Sequence, residues 1–320
     1  MRSSIFASNL GPLGHLRMLA GFCVLFITSI EIAFSHPVKH YSVTYQRVSQ
    51  QYAEALRARP SKAGEPVSVL MVGNSLLLDG VDVPRLQALT SGRMRIYPIF
   101  LEFTTYYDWL YALRRLFRQG ARPQFVVVGL GPDSVIEDTV RTEYSPILLF
   151  DADDVLQVSS DLRLDRTATM NLLLAHWSTF WDMRTVVRAQ ILRRIVPNAE
   201  DLFEVVRRKR PVTPAPDAEP MATSRLRILR GLVERYGARL ILLIPPPTSD
   251  SGVRQTTRAA SKVGVDTLVP IDPETLSPSL YQPDAIHLNS QGATRFTSAL
   301  GENLPKRIIT RGGVATLPPD

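Results

Sequence analysis

Hydrophobic positions along the chain fall into three textures. From Leu16 to Phe34 they are nearly continuous (LRMLAGFCVLFITSIEIAF), with charge only at Arg17 and Glu31, near the ends. That run is close to the roughly 20 apolar residues a membrane-spanning helix needs. Further on, short apolar runs of strand character recur at residues 67–72 (VSVLMV), 94–100 (MRIYPIF), 125–128 (FVVV), 239–244 (RLILLI) and 267–271 (TLVPI). Between them apolar residues return with a helical period, over 43–59, 107–118, 223–236, 253–263 and 290–304. A further helix is predicted from Asp82 to about Gly92, with Asp82 as N-cap and Pro84 in the first turn. Apolar strands alternating with amphipathic helices predict an α/β domain with a parallel sheet and right-handed crossovers.

Residues 146–210 break this alternation. They predict two or three helices with bulky apolar faces, including Trp177, Phe180 and Trp181, read as a helical insertion capping one end of the sheet. Residues 211–220 (PVTPAPDAEP) read as a proline-rich linker. The organisation expected is therefore an N-terminal apolar segment (1–36), a stalk or first helix (37–64), a first domain part (65–145), the insertion and linker (146–221), and a second domain part (222–320).

Composition narrows the function classes. At 320 residues and 45% hydrophobic, the chain can bury one sizeable core. The net charge of +7 is scattered, so no nucleic-acid partner is expected. Its densest cluster, Arg207, Arg208, Lys209 and Arg210, reads as a solvated face, with attraction to an anionic surface as the alternative. The single cysteine, Cys23, lies in the apolar segment, which excludes a disulfide scaffold and a thiolate metal site. Arg2 and Arg17, with no acidic residue before the centre of the segment, predict a cytoplasmic N-terminus. The expected address is the bacterial inner membrane, single pass, with the domain on the periplasmic side and the membrane as partner through Leu16 to Phe34. The alternatives are a secreted protein, cut after Ala33-Phe34-Ser35, and a buried core helix.

Chemistry is expected at two loops. Ser75 follows the first strand directly, where open α/β sheets place their ligands. A serine hydroxyl needs a base. His15 precedes the apolar segment, His36 and His40 stand at its exit, and His176 lies on an insertion helix. His287 alone lies in a loop after the last predicted strand, and Asp284, three residues earlier, is placed to orient its ring. Asp151, Asp153 and Asp154 read as helix-start residues rather than a cation site. Gly129-Leu130-Gly131 lacks the third glycine of a dinucleotide fingerprint. No cofactor and no metal are expected. Tyr106 and Trp109 could line an acyl or sugar pocket, or pack in the core.

Gly73-Asn74-Ser75-Leu76 resembles the first sequence block of the SGNH/GDSL hydrolases, usually Gly-Asp-Ser-Leu. Asp284-Ala285-Ile286-His287-Leu288, followed by Gly292, resembles their fifth, Asp-x-x-His-Leu-x-x-x-Gly. The resemblance covers about residues 65–145 and 222–305. It implies a flavodoxin-like three-layer α/β/α sandwich and serine ester chemistry on an acylated glycan or small ester. Acyl transfer to a polysaccharide with the same triad, and a non-catalytic envelope assembly role, are the alternatives. The chain departs from the family at the oxyanion blocks. Residues 102–108 (EFTTYYD) lack the glycine of the second block, and Gly131-Pro132-Asp133-Ser134 replaces Gly-x-Asn-Asp. Asn74, Thr104, Thr105, Asp133 and Ser134 are therefore the candidates for oxyanion or substrate binding. Asp133 is expected to turn away and cap the segment that follows.

Overall fold

The computed structural model describes residues 11–197, 217–246, 251–272 and 275–312. Five strands, β1 (Val67–Gly73), β2 (Met94–Phe100), β3 (Phe125–Gly129), β4 (Arg239–Leu243) and β5 (Asp266–Leu268), form one parallel sheet in the order β2-β1-β3-β4-β5. Successive side chains on a strand face opposite ways. Leu70, Val72, Val126, Val128, Leu240 and Leu242 enter one core, with α2 (Val43–Ala55), α5 (Tyr106–Arg118), α11 (Ala218–Arg235) and α12 (Ser251–Lys262) over it. Val69, Met71, Val127, Ile241 and Leu243 enter the other, under α3 (Ser75–Gly80), α4 (Val83–Leu89) and α13 (Ser290–Gly312). The fold is the expected three-layer α/β/α sandwich of flavodoxin-like strand order. From β1 the chain moves outward to β2, then returns past β1 to β3. The carboxyl end of β1 is therefore the switch point, where such sheets bind ligands.

A close approach builds that end. Gly73 and Gly129 are register partners on β1 and β3. Leu77 of α3 lies flat on both. A Cβ on Gly73 would come within 2.7 Å of Leu77 Cδ1, and one on Gly129 within 2.6 Å of Leu77 Cγ. The glycine pair thus lets α3 sit directly on the strand ends.

Several boundaries differ from expectation. Of the two readings of residues 37–64, stalk or first helix, the structure has the helix: Val48, Tyr52 and Ala55 of α2 are in the core, and Gln51 accepts the Phe100 N–H at 3.1 Å. The insertion forms α7 (Ser145–Leu148), α8 (Ala152–Asp161), α9 (Arg166–Trp177) and α10 (Thr179–Ile195). These helices pack on α2, α5 and the N-terminal helix rather than over an end of the sheet. They extend one helical layer because Leu149, Phe150, Val155 and Val158 join the α5 core. The stretch 218–220, expected in a linker, opens α11 instead, since a proline in a first turn costs no helical hydrogen bond. Residues 198–216, including the basic cluster 207–210, lie outside the described residues. β5 ends at Leu268, short of Pro270, which has no N–H for the ladder. Short helices at 75–80 and 132–136 (α6, Pro132–Ile136) were not expected.

The insertion is fastened to the domain by a buried carboxyl. Asp182 of α10, 1% exposed, accepts the Tyr144 N–H with both oxygens at 3.1 and 3.0 Å. Tyr144 is held at φ +68°. Burial, with Glu143 beside it, pushes the Asp182 carboxyl up to about 8 against the pull of the Tyr144 amide. An unfolded Asp ionises near pH ~4. Between about pH 4 and pH 8 the folded chain keeps a proton the unfolded chain has lost, so stability falls as pH rises through that window.

Two outcomes follow. Asp182→Asn, which keeps an acceptor for Tyr144, loses less melting temperature between pH 5 and pH 8 than the parent; an unchanged slope in a thermal-melt series would refute the assignment. Gly129→Ala lowers stability by about 1–3 kcal/mol through overpacking. The Gly129→Ala/Leu77→Ala double variant is no less stable than Leu77→Ala alone, because the clash partner is gone; denaturant titration reads this directly.

Candidate active site

Ser75 is the first residue of α3, and Asn74 is its N-cap. Asn74 is extended (φ −95°, ψ −159°), and its Oδ1 accepts the Leu76 N–H at 3.1 Å. The Ser75 N–H precedes the first intrahelical hydrogen bond, so it is one of the helix-start donors with no partner in the helix itself.

His287 comes from the turn after the 3₁₀ segment Pro278–Leu280. Tyr281 and Leu288 pair as an antiparallel bridge, and the Gln282 N–H donates to the His287 carbonyl at 2.7 Å. Inside this turn Ala285 is left-handed (φ +56°). That brings the Ile286 and His287 amides onto Asp284 Oδ1 at 2.9 and 3.0 Å. Asp284 Oδ2 then meets His287 Nδ1 at 2.5 Å, and His287 Nε2 meets Ser75 Oγ at 2.8 Å. A carboxylate only accepts, so Nδ1 carries the proton, and Nε2 of the neutral ring is left to accept from the serine hydroxyl. Burial raises the Asp284 carboxyl, but the imidazole and the two amides outweigh it and hold it below the usual range. The turn is anchored just downstream. Asn289 caps α13 through the Gln291 and Gly292 amides at 3.1 and 3.0 Å. Leu288 is buried, and a Cβ on Gly292 would overlap the Leu280 carbonyl oxygen. The spacing from Asp284 to Gly292 is thus a turn and a helix start locked onto one another.

Across from His287, the Asn74 side chain is 5% exposed and donates through Nδ2 to the Thr104 carbonyl and to Ser134 Oγ, each at 3.3 Å. Ser134 accepts this bond and keeps its own hydroxyl proton to donate. The two threonines are placed otherwise than expected. Thr104 Oγ1 donates to the Leu101 carbonyl and Thr105 Oγ1 to the Thr139 carbonyl, both at 2.6 Å. Their hydroxyl protons are spent on the main chain, so neither side chain serves an oxyanion. Asp133 is exposed on the first turn of α6, where the helix dipole favours it. The N-cap residue of that helix is Gly131.

Trp109 (0% exposed) and Tyr106 (2%) pack in the core and do not line the site. His176 bonds the Pro146 carbonyl at 2.6 Å, and His36 and His40 lie on the N-terminal helix. Asp151 caps α8, reciprocally with Asp154, and pairs with Arg115 and Arg118.

Two features escaped the sequence. Phe103 is left-handed (φ +60°), 66% exposed and next to Thr104, with the Arg141 guanidinium 5.6 Å from its ring centre. Nothing in its residue type signals that backbone. Asp108, fully buried, accepts the Thr105 amide at 2.8 Å and the Arg141 amide at 3.1 Å, tying together the two loops beside Ser75. Burial pushes its carboxyl up to about 6 despite those amides and Ser145. The Thr-x-x-Asp spacing at 105–108 was its available signal.

No family model matches the chain, and no curated protein matches it. Solved structures show a distant likeness over part of the chain. A TesA crystal structure is 12% identical with TM-score 0.38, over 75% of this chain and 98% of that one. A mutant of Axe2, an acetyl-xylooligosaccharide esterase from Geobacillus, is 13% identical with TM-score 0.39, over 81% and 100%. A second Axe2 mutant, of an acetylxylan esterase from Geobacillus stearothermophilus, is 12% identical with TM-score 0.36, over 75% and 94%. What places this chain among α/β sandwich proteins is its own sheet order and two-sided helical cover.

Proposed function

We propose that the chain is a serine esterase of SGNH/GDSL type, acting outside the cytoplasm on O-acyl esters of a glycan or envelope component. The observation that carries this is the unbroken relay Asp284–His287–Ser75, with links of 2.5 and 2.8 Å, at the switch point of a parallel sheet. Ser75 Oγ attacks the acyl carbon while Nε2 of His287 takes its proton, and Asp284 stabilises the imidazolium that forms. The imidazolium returns the proton to the departing alcohol oxygen, leaving an acyl group on Ser75. Water then repeats the sequence, releasing the acid and restoring the hydroxyl.

Negative charge on the carbonyl oxygen is met by the Ser75 N–H at the start of α3 and by the Ser134 hydroxyl, which Asn74 holds at 3.3 Å. Asp284 is 43% exposed, so the site opens to solvent, which favours water as acceptor over a sheltered transfer. Phe103 and Ile286, 66% and 45% exposed, stand beside Thr104 and His287 and offer apolar contacts to an acyl group or a sugar face.

The proposed address is an uncleaved single-pass anchor. The N-terminal helix α1 (Pro12–Tyr41) is long and apolar enough to cross a membrane. Its Glu31 accepts the Thr179 amide at 2.7 Å, and Phe34 stacks edge-on with Phe180. A folded domain that uses both residues supports their retention rather than cleavage after Ser35.

Two measurements test the reading. A serine-reactive phosphonate labels the purified full-length protein, and Ser75→Ala abolishes both labelling and release of acid from an aryl acetate; labelling equal in parent and variant would sink the catalytic role. Ser134→Ala lowers kcat by about 10²-fold with KM little changed, the signature of a donor engaged only in the transition state. An equal kcat would remove Ser134 from the oxyanion site.

A further inference from the structure

We infer that the insertion makes a second contact with the membrane. An apolar stripe on α9, Met170, Leu174 and Trp177, rests on the outer leaflet beside the point where α1 leaves it. The inference rests on the reading of α1 as a membrane anchor.

Four observations lead there. First, α1 changes character along its length. Leu13, Leu16, Leu19, Phe22, Leu25 and Phe26 are all more than half exposed, whereas Ile30, Glu31, Phe34, Ser35 and Val38 rest partly on protein. Between Arg17 and Glu31 this helix carries no charge, and its side chains up to Ser29 are uncovered by protein. Glu31, the first charge beyond that stretch, sets the outer boundary of the hydrocarbon near Ile30.

Second, the residue at that boundary is joined to the insertion. Glu31 accepts the Ser178 hydroxyl at 2.7 Å and the Thr179 and Phe180 amides at 2.7 and 3.3 Å, the donors at the start of α10. A carboxylate close to hydrocarbon is costly, and a helix N-terminus offsets that cost. Third, Trp177, immediately before this joint, is 72% exposed. Its ring belongs to the type that settles at the headgroup level. Fourth, Leu174 and Met170 lie three and seven residues before Trp177, on the same face of α9, at 39% and 53% exposure. The stripe ends where α1 emerges, so lipid, not a protein partner, is the surface continuous with it. A second contact restrains the tilt that a single helix leaves free.

The test uses the full chain carrying Trp181→Phe in phosphatidylcholine–phosphatidylglycerol vesicles. Trp177 emission is isolated by difference from the same chain with Trp177→Phe as well. In a parallel sample the single cysteine, Cys23, carries a nitrobenzoxadiazole probe that reports on α1. The expected result is loss of Trp177 emission with lipids brominated near the carbonyl end, little loss with aqueous iodide, and a blue-shifted Cys23 probe. A lipid-like Cys23 probe with Trp177 quenched by iodide alone overturns the second contact and leaves the anchor standing. Protection of Trp177 from both quenchers also overturns it, because protein then covers the stripe. A Cys23 probe in water overturns the anchor, and this inference with it.

Discussion

The seating of Leu77 on the paired glycines Gly73 and Gly129 is the constraint from which the site follows. Any side chain at either position would lift α3 from the strand ends. Because α3 lies flat, its first residue, Ser75, stands beyond the carboxyl edge of the sheet, and the Ser75 N–H has no partner within the helix, whereas Asn74 takes the amides of Leu76, Leu77 and Leu78. The same packing sets how far the turn that carries His287 has to reach. His287 arrives within 2.8 Å of Ser75 Oγ because α13, which carries the turn, packs on α3 and α4 through Phe296, Leu300 and Leu304. Ser75 and His287 are thus held by one core, and their alignment is a packing result before it is a hydrogen-bonding one.

A second, polar framework holds the loops opposite. Arg47 of α2 pairs with Glu102 at 2.7 Å, and Glu102 also meets Arg141 at 3.3 Å. The Arg141 amide is taken by Asp108, which also fixes Thr105. Arg141 lies over the Tyr144 ring, and the Tyr144 amide is the one held by Asp182. These partly and fully buried links run from the first helix of the domain, through both loops that face Ser75, to the insertion. Buried charges of this kind are kept only where every member is satisfied, and their geometry is correspondingly rigid. The insertion is therefore a structural neighbour of the site loops, although it contributes no side chain to the triad.

What was legible in the sequence is what short-range pattern encodes. The five strands, the long helices between them, and Ser75, Asp284 and His287 as residues that would meet could be read from apolar runs, caps and spacing; the short helices at 75–80 and 132–136 could not. The roles of Thr104 and Thr105 could not, because whether a hydroxyl proton is free depends on the nearest carbonyl, which the fold decides. The left-handed backbones of Phe103 and Ala285 had no glycine to announce them. The place of the insertion was misread because apolar helix faces state that something is covered without stating what. Glu31 read only as a charge near the end of an apolar segment, because its partners lie nearly 150 residues away in the chain.

Asn74, Asp133 and Ser134, where the chain departs from the sequence blocks it resembles, are coupled rather than scattered. An aspartate at 74, as in the block resembled, would set a carboxylate against the Thr104 carbonyl at the 3.3 Å now spanned by the Asn74 amide. Two acceptors at that distance repel unless one is protonated. Asparagine removes the conflict and leaves a second amide proton for Ser134 Oγ. A serine that accepts that proton keeps its own hydroxyl proton to donate, which is what the proposed oxyanion role asks of it. In the same way Asp133, which would repel an oxyanion, stands exposed on the first turn of α6, where a negative charge is favourable. Under the proposed esterase reading, Asn74, Ser134 and Asp133 therefore act together: one hydroxyl donor is kept for the oxyanion, and one carboxylate is kept on the exposed face of α6.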